Sequence, residues 1–232
     1  MEAIVLAGGL GTRLQGKLKG IPKPMAPVAG RPFLEILLGQ LAGAGCARSI
    51  LSVGHLHRVI EEHFGLAWGG MRLDYAVEND PLGTGGAIRA ALERCTEENV
   101  LVLNGDTFLQ ADYAAMMRFH TGQAEHLTVS VTRQPDISRY GGVQIEGERV
   151  VGFEEKGRSG PGWINAGAYA VRRDLLWPAN LAEKFSFERD FLAPEISRLA
   201  PAAFKVEGFF LDIGIPEDLD RAQIEFTRFG PG

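Results

Sequence analysis

Cysteine is nearly absent from this 232-residue chain: Cys46 and Cys95 stand alone, and their spacing fits neither a disulfide framework nor a zinc site. Both lie in apolar helical stretches, so buried free thiols are expected. No apolar run approaches the roughly 20 residues that a membrane-spanning helix needs. Basic charge is not in excess either. Lys and Arg number 24 against 29 Asp and Glu, a formal charge of -5 that argues against a nucleic-acid partner. Internal repeats, low-complexity tracts and flexible linkers are missing, and so is any Ser–His–Asp grouping; His55 and His57 read as surface helix residues. The first apolar run leads into a polar glycine loop rather than a signal-peptide cleavage site, so a soluble cytoplasmic protein without a membrane partner is expected.

What is present is the pattern of a folded α/β protein. Residues 2–7 make a nearly continuous apolar strand, as expected when both faces of a sheet are covered. Strands at 49–53, 73–77 and 100–103 alternate with helices at 33–44, 56–64, 84–94 and 111–120, and Thr84 stands as the N-cap of its helix. Such alternation gives βαβ units, right-handed crossovers and a largely parallel sheet. Past residue 126 the rhythm changes. Closely linked strands at 126–132, 142–146, 149–155 and 164–171 read as a β-rich flap attached to the first half. A helix over 187–199, a short strand pair within 204–211 and a helix from Pro216 follow. The whole is expected to be one domain.

In open α/β sheets, ligands bind beyond the carboxyl ends of the strands. Three segments fall there: the loop after the first strand, Pro81–Gly86, and Asn104-Gly105-Asp106. The first loop, Leu6-Ala7-Gly8-Gly9-Leu10-Gly11-Thr12-Arg13-Leu14, can curl tightly, aim backbone N–H groups at an anion and add the forked charge of Arg13. It is not a dinucleotide fingerprint, because Leu14 occupies the third glycine position. Nor is it a Walker loop, because Leu18 follows Lys17 where Ser or Thr would hold magnesium. Lys23, set between Pro22 and Pro24, is expected on a stiff, extended backbone that points its ammonium to one place.

These segments, with Met25 and Gly30-Arg31-Pro32, resemble the signature of the sugar-nucleotidyltransferase family, and the likeness runs from residue 3 to about residue 222. The resemblance implies a GT-A-like fold: a Rossmann-like, mostly parallel mixed sheet flanked by helices, with a β-rich sugar-binding insertion. About residues 1–125 would bind nucleotide and about 126–215 the sugar phosphate. It also implies a reaction, in which a nucleoside triphosphate and a sugar 1-phosphate give a nucleotide-sugar and pyrophosphate. In that family the loop of Leu6, Ala7, Gly8, Gly9, Gly11, Thr12 and Arg13 wraps the triphosphate. Arg13 and Lys23 stabilise the phosphates as pyrophosphate leaves.

Asp106 and Asp212, taken alone, are turn or capping aspartates; both match the family's metal-binding aspartates, with Mg2+ as the cofactor. Asp106 is thereby counted with Arg13 and Lys23 as catalytic. Glu78, Pro81, Gly83 and Thr84 match the nucleobase and ribose loop, where glycines are expected to allow close approach of the ligand. A carboxylate at Glu78 can accept the two adjacent guanine donors, which favours GTP, although an outward-pointing edge glutamate fits the same position. On the sugar side the resemblance assigns Asn104, Gly141, Glu155, Lys156 and Asn165. Within the family, Glu78–Ile88, Phe153–Lys156, Phe185–Glu188 and Asp212–Asp218 are most similar to the branch that joins GTP to a manno-heptose 1-phosphate. Gly142, where a β-branched residue is usual, and Ala166, where glycine often sits, depart from it. Mannose 1-phosphate with GTP, or a uridylyl or thymidylyl transfer, are the alternatives, and a non-catalytic nucleotide-sugar-binding subunit is a remote one. A homo-oligomer is compatible with the sequence.

Overall fold

The computed structural model describes residues 1–9, 14, 16, 18, 20–123, 126–177 and 180–228. In chain order, β1 (Glu2–Leu6) is followed by a small ribbon of β2 (Pro27–Val28) and β3 (Arg31–Pro32), then α1 (Phe33–Gly43), β4 (Arg48–Val53), α2 (His57–Phe64), β5 (Ala67–Trp68) and β6 (Met71–Val77). Next come α3 (Gly83–Leu92), β7 (Asn99–Asn104), β8 (Thr107–Leu109) and α4 (Tyr113–Gly122). The β-rich half holds β9 (Leu127–Gln134), β10 (Val143–Glu146), β11 (Arg149–Phe153) and β12 (Gly162–Arg172). A π-helical turn (Phe187–Leu192), α5 (Ile196–Leu199), β13 (Ala202–Val206), β14 (Phe210–Asp212) and α6 (Pro216–Arg228) complete it.

Ten strands form one mixed sheet in the order β10-β11-β13-β9-β12-β7-β1-β4-β6-β5. Its centre, β7-β1-β4-β6, is parallel, as the βαβ alternation predicts. The β-rich half extends this same sheet. β12 pairs antiparallel with β7 and with β9, and β13 runs parallel to β9. Alternating side chains divide the core between two faces. Ala3, Val5, Leu51, Leu101 and Leu103 face the layer that contains residues of α1, α2, α4 and α6. Ile4, Ile50, Val100, Val102 and Tyr169 face α3 and the π-helical turn. Cys46 and Cys95 are buried free thiols, as expected.

At the N-terminal end of the parallel strands, buried Glu2 accepts from Arg48 at 2.6 Å and from the N–H groups of Thr96 and Glu97 at 2.7 and 2.9 Å. Burial opposes the charge, but these donors outweigh it and leave the Glu2 carboxyl below its ordinary pKa. This charged seam is remote from the C-terminal strand ends, where the ligand loops lie.

Three local expectations are corrected. The helix over 187–199 is broken into the π-helical turn and α5, because Pro194 has no N–H to continue the ladder. The strand pair within 204–211 separates at Gly208. β13 joins the main sheet, whereas β14 pairs with β8. Gly208 allows the switch, since a Cβ there would sit 1.9 Å from the Gln110 carbonyl oxygen. Finally, Thr84 does not cap α3, which begins at Gly83 after Leu82; its hydroxyl is engaged elsewhere.

One irregularity in β12 matters for the site. Asn165 pairs with Val131 and Tyr169 with Val129, so residues 166–168 oppose only Ser130. Ala168 N–H donates to the Ser130 hydroxyl at 3.1 Å, and Gly167 adopts a φ of +73°.

Candidate active site

The carboxyl ends of β1, β6 and β7 border a cleft of about 460 Å³. Leu6, Gly8, Gly9, Lys23, Glu78, Pro81, Gly83, Thr84, Asn104 and Asp106 line it, so most of the residues assigned to nucleotide and chemistry converge there. Ala7 does not join the lining: it is buried and its N–H donates to the Ser52 carbonyl at 2.7 Å. Gly11, Thr12 and Arg13 lie outside the described residues.

Lys23 does not sit on extended backbone. It starts a 3-10 turn over Lys23–Met25, in which Met25 N–H donates to the Pro22 carbonyl, while Pro22 alone is extended. The two prolines still restrict the turn, and the largely buried ammonium reaches Asp106 Oδ2 at 2.5 Å. Asp106 leaves the end of β7, and Asp212 ends β14. The backbone joins them: Ile213 N–H donates to the Asp106 carbonyl, and Asp212 pairs with Thr107 in the β8–β14 ladder. Burial, then repulsion from Asp106, raise the Asp212 carboxyl above its ordinary pKa. Lys23 and the Gly214 N–H, 2.6 Å away, pull in the opposite direction. Two carboxylates brought together near a buried floor favour a cation between them. The all-oxygen donor set suits a hard divalent ion rather than a thiophilic one. Among the described residues no larger cluster of potential ligands occurs.

Glu78 is inward and held on both sides. Its Oε1 accepts from the Ser52 hydroxyl at 2.8 Å and its Oε2 from Leu82 N–H at 3.0 Å. Gly8 lies against it; a Cβ there would come within 2.9 Å of Glu78 Oε1. The glycines of α3 have another explanation than ligand approach. A Cβ on Gly83 would meet the Phe185 carbonyl oxygen at 2.5 Å, one on Gly85 the Phe185 ring at 2.1 Å, and one on Gly86 the Glu183 carbonyl oxygen at 2.5 Å. Residues 183–187 are thus pressed onto the start of α3, and Phe185 exchanges backbone hydrogen bonds with Leu82 and Gly85.

A second, larger cavity of about 1020 Å³ adjoins the first through Asn104. It gathers Gly141, Glu155, Lys156 and Asn165, all assigned to the sugar side, and Asp212 reaches its wall. Gly142, the departure from the family pattern, has a local cause: a Cβ would meet Glu154 Oε2 at 2.8 Å and Ile137 at 3.1 Å. Arg139, Tyr169 and Glu188 also line this cavity; none was assigned a site role from sequence, although Glu188 closes the Phe185–Glu188 segment of the resemblance. Arg139 binds Asp218 of α6 at 2.6 Å. Its place before Tyr140-Gly141 was the available signal. Tyr169 and Glu188 are brought in by the β12 irregularity and the π-helical turn, which no local pattern announces.

Residues 2–228 match the family model described as nucleotidyl transferase. The chain is 41% identical to a D-glycero-alpha-D-manno-heptose 1-phosphate guanylyltransferase from Aneurinibacillus thermoaerophilus, over 99% of this chain and all of the relative. It is 35% identical to a mannose-1-phosphate guanylyltransferase from Mycobacterium tuberculosis, over 98% of this chain and 65% of that protein. Among solved structures, HddC from Yersinia pseudotuberculosis complexed with GMP-PN superposes with a TM-score of 0.86 at 37% identity, covering 97% of this chain and 99% of HddC.

Proposed function

The chain belongs to the nucleotidyl transferase family, and from that premise we propose that it joins GTP to D-glycero-α-D-manno-heptose 1-phosphate, giving GDP-heptose and pyrophosphate. The observation that carries this reading is the junction of the two cavities. Lys23, Asp106 and Asp212 meet there, between a cleft entered from the glycine loop and a cavity rich in hydroxyl-bonding groups.

In the reaction a phosphate oxygen of the sugar 1-phosphate attacks the α-phosphorus of GTP. The new P–O bond forms as the bond to the β-phosphate oxygen breaks, and pyrophosphate leaves. The substrate supplies its own nucleophile, which agrees with the absence of a triad in the sequence. Charge accumulates on the α-phosphoryl and leaving oxygens, so the protein's task is positioning and electrostatic stabilisation. Lys23 presents its ammonium at the junction, and Arg13 is assigned to the leaving phosphates. Asp106 and Asp212 would hold Mg2+, which neutralises phosphate charge when bound. Glu78, acceptor-only and held by Ser52 and Leu82, is assigned to the guanine N1–H and amino group. Lys156 would meet the sugar's phosphate, with Glu155 and Asn165 on its hydroxyls. The first 125 residues then carry mainly the nucleotide and residues 126–215 mainly the sugar phosphate. A cytoplasmic reaction follows, since GTP is available there; among the described residues no helix is long and apolar enough to cross a membrane.

The test is pyrophosphate release with Mg2+ over a grid of four nucleoside triphosphates and several sugar 1-phosphates. Activity concentrated in GTP with the manno-heptose 1-phosphate is expected. Activity with mannose 1-phosphate alone would reassign the sugar, and binding without turnover anywhere on the grid would overturn the catalytic reading.

A further inference from the structure

Glu188 links the two cavities. Its Oε2 accepts from the Thr84 hydroxyl at 3.0 Å, on the wall of the nucleotide cleft, and its Oε1 accepts from the Tyr169 hydroxyl at 2.9 Å, in the sugar cavity. Tyr169 in turn accepts from Asn165 Nδ2 at 2.8 Å. The Ser186 hydroxyl adds a longer contact to Oε2 at 3.4 Å.

The direction of each bond is determined by a backbone donor at either end. Phe187 N–H donates to Thr84 Oγ1 at 2.9 Å, so the Thr84 hydroxyl proton is left for Glu188. Gly167 N–H donates to Asn165 Oδ1 at 3.0 Å, which orients the amide and makes Nδ2 the donor to Tyr169. The Tyr169 proton is then left for Glu188 as well. Donors arrive at the carboxylate from both cavities, and an acceptor-only group is the one side chain of this length that satisfies both. One Nδ2 proton of Asn165 remains for a ligand, so the chain of bonds presents Asn165 to the sugar cavity as a donor toward a ligand oxygen.

We propose that Glu188 is a positioning residue that holds the sugar-contacting amide of Asn165 and the nucleotide-side Thr84 in one hydrogen-bonded unit, so that sugar 1-phosphate recognition depends on a contact made in the nucleotide cleft. This rests on the function proposed above. It differs from a simple packing role because the Glu188→Gln side chain has nearly the same size. A glutamine must set an NH2 group against either Thr84 or Tyr169, both already committed as donors. One end of the chain then lets go.

The experiment is steady-state kinetics of the full chain with GTP and the heptose 1-phosphate, with calorimetric binding of the sugar 1-phosphate alongside. Glu188→Gln is expected to raise the sugar 1-phosphate KM about tenfold or more, with a smaller change in kcat. Thr84→Val, which removes only the nucleotide-side hydroxyl, is expected to raise that KM too. The pair Thr84→Val and Tyr169→Phe should combine to less than the product of their separate effects. A sugar KM within twofold of wild type for Glu188→Gln, or a Thr84→Val effect confined to the GTP KM, would overturn the proposal. If Glu188→Gln does not fold, Tyr169→Phe tests the same link from the other oxygen. A wild type that binds the sugar 1-phosphate without turning it over fails the proposed function, while the binding comparison still decides the role of Glu188. A wild type that neither binds nor turns over overturns both.

Discussion

Gly85→Ala should destabilise the protein, although alanine is the better helix former. Gly85 is the third residue of α3, and alanine there would gain about 0.5–1 kcal/mol from backbone preference. Its methyl group, however, would sit 2.1 Å from Phe185 Cε2 and 2.3 Å from Cδ2. The ring has little freedom to yield. It is buried, its residue is held by backbone bonds to Leu82 and Gly85, and Arg89 lies over it at 5.3 Å. Overpacking of this kind costs about 1–3 kcal/mol, which exceeds the helix gain. A net loss near 1–2 kcal/mol corresponds to roughly 2–8 °C in Tm for a chain of this size. The decisive assay is urea unfolding followed by circular dichroism in two backgrounds. With Phe185→Ala the obstructing ring is gone, and Gly85→Ala should then stabilise by about 0.5–1 kcal/mol. An equal loss in both backgrounds would refute the reasoning, because the ring would not be what demands glycine.

If Lys23 and Asp106 act on transition-state charge as proposed, Lys23→Ala and Asp106→Asn should each lower kcat by about 10²–10³ with little change in urea midpoint; wild-type turnover with either variant would remove the mechanism. Glu78→Gln should shift the GTP:UTP ratio of kcat/KM toward UTP, and an unchanged ratio would mean that Glu78 does not read the base. His120 is buried between the Thr128 hydroxyl and Asn99, and burial, with a smaller push from His126, lowers its pKa to about 4. The unfolded chain takes up this proton near pH 6.5 and the folded one near 4, so stability is lost as pH falls through that window. The loss from this group between pH 7.5 and pH 5 is about 2 kcal/mol. In His120→Gln that part of the acid sensitivity should vanish when unfolding is compared at the two pH values.

The parallel centre of the sheet was readable because its strands are short apolar runs separated by helices of matching period. Lys23 was readable from its two prolines, though not the turn that it begins, because a Pro-Lys-Pro segment accommodates both backbones. Asp106 and Asp212 were different. Each alone has the local chemistry of a turn, and only the β8–β14 pairing brings them together. The same long-range cause hid the contact of Glu188 with a threonine 104 residues earlier in the chain. Gly83, Gly85 and Gly86 likewise meet Phe185 and Glu183, about 100 residues later in the chain, a demand that their local pattern does not disclose. A glycine announces that something comes close, not whether it is a ligand or another part of the chain.

The three-against-one step in β12 has a consequence for substrate scope. Residues 162–165 pair with β9 on one side of it and bring Asn165 to the cavity wall, whereas 168–172 are in register with β7 and bring Tyr169 to the same wall. Residues 166–168 take up the mismatch against the single Ser130, and across the step Asn165 donates to the Tyr169 hydroxyl at 2.8 Å, so the two stretches are braced to each other. The cavity wall is therefore pinned to the core strand: a change at Asn165 for a differently hydroxylated sugar also alters what Tyr169 and Glu188 must satisfy, so this part of the wall changes as a set rather than one residue at a time.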